Sequence, residues 1–148
     1  MIEALNKDTI TDCYILAEKL WPGLEKGEFI QELMDSLVDE DQVCFLYSYD
    51  KRPVAFAQGS VRRDYVEGSD SSPVAYVEGV YCLDNHRKSG IGRQLIAAIE
   101  EWGRTKGFSQ IGSDCELDNL LSIDFHKAIG FTEANRTVSF IKDLKNEA

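Results

Sequence analysis

Residues 87–92 combine residue types that suit the binding of a phosphate group. They are Arg87, Lys88, Ser89, Gly90, Ile91 and Gly92, between a predicted strand and a predicted helix. Glycines let backbone amides approach an anion, while the helix N-terminus and two basic side chains add positive charge. Leu95 in place of a third glycine excludes the dinucleotide fingerprint, and the ending of a Walker loop is missing. The segment predicts a pyrophosphate site, with a glycine-rich turn and solvated bases as the alternative.

Glu78 is the only charged residue of the apolar stretch at residues 74–83. A carboxylate among apolar strand neighbours is costly unless it is paired or used. Gly79 beside it favours a β-bulge, which would free backbone amides and carbonyls for a ligand. The alternatives are that Glu78 faces solvent or pairs with an arginine.

The carboxyl end of the next predicted strand carries Ser113 and Asp114. Ligands of α/β sheets tend to bind at that end, so Asp114 is a candidate cation ligand, with capping of the next helix as the alternative. On that helix Asn119 suits an N-cap, and His126 is a lone histidine that a surface position also explains. Alone, these residues are weaker signals than Glu78.

Two aromatic residues lie beside acidic stretches of the chain. Trp21 precedes the second predicted helix, and Tyr65 lies in a polar loop at residues 64–72 that contains three acids. A cationic ligand could stack on either ring, with core packing as the alternative for each.

The elements that must position these residues follow the predicted order ααβββαβαββ, in one mixed α/β domain over residues 1–148. The pattern has no internal repeat and no linker. The predicted helices are 10–20, 26–37, 90–106 and 119–129. The predicted strands are 42–49, 54–61, 73–83, 110–114, 131–132 and 136–142.

The net charge of −10 over 148 residues restricts the classes of molecule that the protein can bind. It argues against nucleic acids and anionic membranes, which need a basic face, and favours a cationic partner. The charge is uneven, because residues 1–74 carry −8 whereas residues 85–107 carry +3. The protein can therefore face a cation at one place and an anion at another, with chance variation as the alternative.

Export and metal binding both lack a signal. We find no signal peptide, and the longest apolar run, residues 43–47, is too short to span a membrane. Four dispersed cysteines predict reduced thiols in a cytoplasmic protein. Two histidines without a ligand pair at zinc spacing predict no metal site.

Together these segments resemble the GNAT superfamily of N-acetyltransferases. Its acetyl-CoA signature, R/Q-x-x-G-x-G/A after a long central strand, matches residues 87–92, and the segment from Asn119 to Gly130 and Phe131 resembles its second CoA-side helix. The element order agrees as well. The resemblance implies a mixed central sheet of six to seven strands flanked by about four helices, with acetyl-CoA as cosubstrate and no metal.

Within the superfamily, the chain looks like the short, dimeric bacterial aminoglycoside 6'-N-acetyltransferases. The similar blocks are Leu20-Trp21-Pro22-Gly23, Arg63-Asp64-Tyr65-Val66-Glu67-Gly68, Asp70-Ser71-Ser72-Pro73-Val74, Glu78-Gly79, Gln94-Leu95-Ile96-Ala97-Ala98, Trp102-Gly103, Ser113-Asp114 and Ala128-Ile129-Gly130-Phe131. This resemblance implies a homodimer.

The resemblance also implies residue roles. The implied antibiotic-contacting positions are Trp21, Leu24, Tyr65, Glu78, Asp114 and Asn135. The implied acetyl-CoA positions are Val80, Tyr81, Cys82, Arg87, Lys88, Ser89, Gly90, Ile91, Gly92 and Asn119. Two positions depart from the family pattern, because Leu24 replaces an expected histidine and Asn135 an expected glutamate, and both changes should weaken binding of a polycation.

The chemistry of acetyl transfer to an amine assigns the catalytic roles. An ammonium group must lose a proton before it attacks a thioester, and we expect Glu78 and Asp114 to hold the cation and accept that proton. A backbone amide near Val80 would stabilise the oxyanion. His126 stands where many relatives carry a tyrosine, so it is the candidate general acid for the leaving thiolate. No well-placed nucleophile is evident, which predicts direct transfer in a ternary complex.

Two other functions remain open from the sequence. The first is an acetyltransferase of the same fold for another amine, such as a polyamine, a small metabolite or a peptide N-terminus, which Leu24 and Asn135 favour. The second is a non-catalytic acyl-CoA-binding module, against which the pair Glu78 and Asp114 argues.

Overall fold

The computed structural model describes residues 1–145, which contain one five-stranded mixed sheet and four α-helices. In chain order the elements are β1 (Ile2–Ala4), α1 (Ile10–Leu20), α2 (Lys26–Ser36), β2 (Gln42–Tyr49), β3 (Arg52–Arg62), β4 (Val74–Cys82), a 3₁₀ turn (Asp84–His86), α3 (Ile91–Thr105), β5 (Ile111–Gly112) and α4 (Leu120–Ala128). The chain divides into two compact units, Met1–Asp114 and Cys115–Ala148. The whole sheet belongs to the first unit.

The sheet has the spatial order β1-β2-β3-β4-β5. The first four strands pair antiparallel, whereas β5 runs parallel to β4. The strands of the antiparallel pairs β2–β3 and β3–β4 follow directly along the chain, whereas α1 and α2 lie between β1 and β2. The parallel pair is joined by α3, as a parallel connection requires. This topology places the carboxyl end of β4, the N-terminus of α3 and the end of β5 in the first unit.

Helices cover both faces of the sheet. Residues of α1 and α2 form one apolar cluster with Phe56 of β3, which is fully buried. On the opposite face, α3 buries Ile91, Leu95, Ile96 and Ile99. Because successive residues of a strand face opposite sides, Gly59 of β3 lies on the α3 side, where an added Cβ would stand 3.0 Å from the Ile99 side chain.

Most predicted elements are confirmed, with ends that differ by a few residues. Thr9 precedes α1 but makes no side-chain cap, because its hydroxyl is bonded to Asn6 instead. Glu25 caps α2 by accepting a hydrogen bond of 2.6 Å from the Glu28 amide. The predicted strand at 110–114 is shorter, as only Ile111 and Gly112 pair.

Two expectations about the sheet were wrong. The sequence analysis did not predict β1, which pairs with β2 at the sheet edge. The predicted strand pair at 131–132 and 136–142 is absent, so the described residues form five strands rather than six to seven. A strand persists only when its amides and carbonyls are paired with a neighbour, and this segment has no strand partner among residues 1–145.

The same C-terminal segment exposes apolar side chains. The exposed fractions are 71% for Val138, 91% for Phe140, 95% for Ile141 and 91% for Leu144. Three of them, Val138, Phe140 and Ile141, lie in the predicted strand at 136–142, and this apolar surface is uncovered within residues 1–145. Across residues 1–145, no helix has both the length and the apolar character needed to cross a membrane.

Candidate active site

Glu78 lies in a β-bulge at the middle of β4. Gln58 of β3 pairs with Gly79, and the next residue, Gly59, pairs with Val77, so Glu78 has no residue opposite it. The bulge predicted from the sequence is therefore confirmed. It interrupts the regular β3–β4 pairing and places the Glu78 side chain in the wall of a pocket.

The glycine after Glu78 is required by the neighbouring tryptophan. A Cβ added to Gly79 would stand 2.5 Å from two ring atoms of Trp21, far inside van der Waals contact. Trp21 follows α1 and also packs edge-on against Phe56 and Phe29, with ring centroids 6.1 and 6.4 Å away. The bulge and the end of α1 are thus fitted to each other.

The pocket beside the bulge has a volume of about 320 Å³. Its apolar wall includes Trp21, Leu24 and Phe29, and its carboxylates are Glu32 and Glu78. An aromatic wall combined with acidic groups suits a ligand with carbon rings and ammonium groups. The structure brings Trp21, Leu24 and Glu78 together, as the sequence analysis expected of a common site.

Glu78 is held by two side chains of β3. Arg62 donates from Nε to Oε1 and from Nη2 to Oε2, both at 2.9 Å, and Ser60 Oγ donates to Oε1 at 2.5 Å. The alternative that Glu78 pairs with an arginine is therefore correct. The Glu78 side chain remains 34% exposed, so the paired carboxylate can still be reached from the pocket.

Asp114 is tied to the same network through Tyr76. The Tyr76 hydroxyl donates a short hydrogen bond to Asp114 Oδ2, and the Arg62 guanidinium lies over the Tyr76 ring, 4.0 Å from its centroid. Burial, and then the hydrogen bond to Asp114, raise the pKa of Tyr76 well above its ordinary value. Tyr76 therefore stays protonated and keeps donating to Asp114 throughout the neutral range.

Tyr65 does not join this pocket. It lies in the polar loop between β3 and β4 with 73% of its surface exposed, and it is not among the residues lining the pocket. Leu24, in contrast, does line it, and its carbonyl accepts a long hydrogen bond of 3.4 Å from the Tyr14 hydroxyl.

The turn at residues 87–92 has the backbone conformation that its glycines predict. Lys88 and Gly90 have positive φ angles of 63° and 85°, and Gly90 stands at the N-terminus of α3. The turn is fastened by Ser89, whose hydroxyl donates to the His86 carbonyl at 2.5 Å. Such a left-handed turn before a helix directs backbone amides towards a common point, which suits an anion.

The side chain of Arg87 serves the turn itself. Its Nε donates to the Cys82 carbonyl at 2.8 Å, and Nη1 forms an ion pair of 2.9 Å with Asp84. Lys88 is exposed and makes no ion pair within residues 1–145. Of the two bases that the sequence analysis assigned to an anion, Lys88 is therefore the one available to it.

The carboxyl half of β4 has an open edge. Val80, Tyr81 and Cys82 pair with β3 on one side. Within the described residues, β5 pairs only with Ala75 and Tyr76, so β4 has no strand partner on its other side beyond that point. The backbone groups along this edge are positioned to bind a ligand that carries amides.

Asn119 and His126 belong to the second compact unit. Asn119 caps α4, as its Oδ1 accepts a hydrogen bond of 3.1 Å from the Ser122 amide. Nδ1 of His126 lies 2.6 Å from the Ser122 carbonyl oxygen. Because a carbonyl only accepts, Nδ1 carries the proton, and Nε2 of the neutral ring is an acceptor. His126 can donate a proton from Nε2 only as an imidazolium.

The remaining candidates in this unit have simpler surroundings. The His126 ring packs edge-on against Phe131, with centroids 5.2 Å apart. Asn135 lies in the exposed segment without regular structure that follows α4.

Three residues of the network were missed by the sequence analysis, namely Ser60, Arg62 and Tyr76. Ser60 and Arg62 alternate along β3 and so share a face, and Tyr76 is two residues before Glu78. Alternation continued one residue past the predicted strand at 54–61 would have placed Ser60 and Arg62 on one face. Within residues 1–145, no group of three or more His, Cys, Asp or Glu side chains could hold a metal ion.

Residues 8–131 match the acetyltransferase (GNAT) family. The chain belongs to this family. The match includes the bulge, the turn at 87–92 and α4, so the family assignment covers residues from both compact units.

Curated relatives in the family are similar over nearly their whole length. Aminoglycoside N(6')-acetyltransferase type 1 of Salmonella enteritidis is 35% identical over 141 residues, with 95% of this chain and 97% of the relative covered. The enzyme of the same name from Serratia marcescens is 35% identical over 145 residues, covering 97% and 99%.

Solved structures in the family have the same fold. AAC(6')-Iy, in complex with the bisubstrate analogue CoA-S-monomethyl-acetylneamine, matches with a TM-score of 0.92 and 34% identity, over 97% of this chain and 98% of that chain. Apo AAC(6')-IG from Acinetobacter haemolyticus matches with a TM-score of 0.90 and 31% identity, over 98% and 99%. The expected GNAT fold is confirmed.

Proposed function

We propose that this protein is an acetyl-CoA-dependent aminoglycoside 6'-N-acetyltransferase. The observation that carries the proposal is the near full-length similarity to acetyltransferases of that name, one of which has been solved with an analogue that joins CoA to an acetylated aminoglycoside. The pocket beside Glu78 supports it independently, because it pairs aromatic surface with carboxylates.

The residues along β4 and the following turn fit acetyl-CoA. The open edge at residues 80–82 suits the amides of the pantetheine arm, and the turn at 87–92 with Lys88 suits the pyrophosphate. Arg87 supports this site by fastening the turn to the Cys82 carbonyl. Acetyl-CoA supplies the activated acetyl group as a thioester. Asn119 remains a proposed contact that the resemblance implies.

Glu78 and Asp114 act on the acceptor amine. The incoming group is an ammonium at neutral pH, and a carboxylate both attracts it and takes its proton, directly or through water. Glu78 lines the pocket, and Asp114 is held by Tyr76. Trp21 contributes aromatic surface to the antibiotic, whereas a contact with Tyr65, which lies outside this pocket, rests on the resemblance alone.

The carbonyl under attack gains negative charge, which a backbone amide near Val80 stabilises. His126 is the proposed general acid for the leaving thiolate, and its hydrogen bond to the Ser122 carbonyl requires the charged ring for that role. Transfer is direct, within a ternary complex. Cys82 is a poor nucleophile, since burial raises the pKa of its thiol.

A second candidate is an acetyltransferase for another amine, and Leu24 is the observation that favours it. Leu24 places an apolar side chain in the pocket wall where the resemblance implies a histidine, and Asn135 lacks the carboxylate that it implies. Both changes reduce the polar and negative groups available to a polycation, so they narrow the range of antibiotics bound.

We also propose that residues 1–148 form one acetyltransferase domain that assembles as a homodimer. The exposed apolar side chains at residues 138–144 support a dimer, since a second copy would cover them. Light scattering coupled to size-exclusion chromatography tests this, and a monomer at all concentrations would contradict it. A cytoplasmic location agrees with the four free cysteines.

A panel of amines tests the function. Purified protein with acetyl-CoA is assayed for thiol release with kanamycin-type aminoglycosides, spermidine and a peptide with a free N-terminus. Saturable turnover at micromolar aminoglycoside, with the acetyl group on the 6'-nitrogen by mass spectrometry and NMR, is the expected result. Faster turnover of spermidine or the peptide supports the second candidate, whereas CoA binding without turnover of any amine contradicts both.

A further inference from the structure

Arg62 pairs with the pocket residue Glu78 and has no part in the mechanism proposed for acetyl transfer. It is the last residue of β3, and its guanidinium contacts two different groups at once. The edge donates to both oxygens of Glu78, and the face lies over the Tyr76 ring. An arginine is suited to both contacts because its guanidinium is planar and presents a fixed fork of donors.

The contact with Glu78 fixes the orientation of a carboxylate that the bulge leaves unsupported by strand pairing. The two hydrogen bonds of 2.9 Å lock the plane of the carboxylate, and Ser60 adds a third bond of 2.5 Å. A carboxylate with two oxygens has about four lone-pair sites, so these three hydrogen bonds leave about one site for an acceptor ammonium.

The contact with Tyr76 extends the same control to the second carboxylate. Tyr76 donates to Asp114, and the guanidinium 4.0 Å above its ring restricts where the ring can move. Arg62 therefore contacts Glu78 directly and reaches Asp114 through Tyr76.

The geometry points to Arg62 as a positioning residue for acetyl transfer, which holds Glu78 directly and Asp114 through Tyr76 in the arrangement that accepts the amine proton. This inference rests on the proposed function. It predicts a specific division of effects, because removing a cation from an anionic pocket does not weaken its attraction for a cationic substrate, whereas losing the orientation of Glu78 slows proton transfer.

Arg62→Ala is the decisive variant. We expect kcat with a kanamycin-type aminoglycoside to fall about tenfold, while the KM for that substrate stays the same or falls. The KM for acetyl-CoA should not change. Arg62→Lys should recover only part of kcat, because an ammonium is a point donor and cannot reproduce the fork.

Chemical rescue separates positioning from mere support of the fold. The Arg62 side chain is 43% exposed, so a small guanidinium ion can enter the space that the alanine variant leaves. Guanidinium chloride, kept far below denaturing concentration, should restore kcat of Arg62→Ala at least severalfold. Equal concentrations of sodium chloride and ammonium chloride should restore little.

Arg63→Ala is the matched control. Arg63 is the next residue and also forms a two-bonded ion pair, at 2.5 and 3.2 Å, but its partner is Asp41, which does not line the pocket. It should leave kcat and both KM values near those of the unchanged protein. Melting temperatures of both variants show whether any loss reflects unfolding, and Arg62→Lys supplies the comparison if the alanine variant is unstable.

The outcomes are separable. If kcat of Arg62→Ala stays within twofold of the unchanged protein, the inference is overturned and the proposed function is not. The same conclusion follows if the aminoglycoside KM rises and guanidinium does not restore the lost kcat. If another amine of the panel is the substrate, the same measurements are made with it. Absence of turnover with every amine overturns the proposed function and this inference with it.

Discussion

Two parts of the proposed active site are held in place by different means. They are the acceptor end, around Glu78, and the CoA end, at the turn 87–92. At the proposed acceptor end, Glu78 is held by two side chains of the neighbouring strand β3. Ser60, Arg62, Tyr76 and Glu78 form a network there, with Asp114 beyond it. At the proposed CoA end, the turn at 87–92 is set by backbone angles and by hydrogen bonds to residues within five positions along the chain. A changed side chain should therefore impair reaction with the acceptor, whereas a changed backbone angle in the turn should impair binding of acetyl-CoA.

The largest effect should come from Glu78→Gln. We expect kcat/KM for the aminoglycoside to fall about a hundredfold, because glutamine keeps the shape but cannot accept the proton. The KM for acetyl-CoA, measured at saturating aminoglycoside, should stay within twofold. Steady-state kinetics with both substrates varied measures this, and a loss of less than threefold would remove Glu78 from the proposed mechanism.

Gly79→Ala tests the fit between the bulge and the end of α1. The new Cβ would stand 2.5 Å from the Trp21 ring, so we expect about 1–3 kcal/mol of destabilisation and about a tenfold loss in aminoglycoside kcat/KM. Denaturant unfolding measures the first and kinetics the second.

Gly27→Ala is its control, because a Cβ there meets only the flexible Glu25 side chain at 3.4 Å. It should leave the aminoglycoside kcat/KM near its original value and, because Gly27 lies in α2, raise the free energy of unfolding by up to about 1 kcal/mol. Equal losses in the two glycine variants would mean that the Trp21 contact does not matter.

Gly90→Ala breaks the CoA end instead. Its φ of 85° strains an alanine by about 1–2 kcal/mol although nothing lies within 4 Å of the new Cβ. We expect about a fivefold rise in the KM for acetyl-CoA, since relief of the strain moves the amides of the turn. Binding of CoA by calorimetry is the direct measurement.

Gly107→Ala carries the same strain at the other end of α3, with a φ of 84° and open space around it. It should lose similar stability and keep its affinity for CoA. Should both variants lose CoA affinity equally, the effect would belong to α3 as a whole and not to the turn.

The smallest effect should come from pH. The pKa of Tyr76 is raised by burial and by Asp114, so its hydroxyl stays protonated after an exposed tyrosine has ionised. The stability that this raised pKa contributes is fully present below the unfolded value of about 10 and is lost only as pH rises through the folded value. A tyrosinate absorbance titration should contain a late step that Tyr76→Phe removes, and activity should have no tyrosine limb below about pH 10. The pKa of Tyr14 is also raised, mainly by Glu18, so Tyr14→Phe is the comparison.

The sequence predicted the features that depend on neighbours along the chain. The turn at 87–92, the glycine that starts α3 and the bulge at Glu78 all follow from local residue types, and the structure confirms each. The roles of Asn119 and Asn135 toward ligands are carried over from relatives and stay predictions.

What the sequence could not predict depends on pairing between distant strands. Arg62 falls one residue beyond the predicted strand at 54–61, and its partner Glu78 is 16 positions away and becomes its neighbour only through the β3–β4 register. β1 is only three residues long, too short to show a strand pattern by itself, and it is defined by its pairing with β2. The segment at 136–142 has the alternation of a strand, and alternation without a neighbouring strand is not enough to form one.

The packing of Trp21 against the bulge also means that its fluorescence can report on the proposed acceptor site. The protein has two tryptophans, and the other, Trp102, lies on α3 with the Lys106 ammonium 5.2 Å from its ring. In a Trp102→Phe variant the whole indole fluorescence would arise from the wall of the acceptor pocket. Its quenching or shift on titration would follow aminoglycoside binding without acetyl-CoA present, so that affinity could be read before any bond is made.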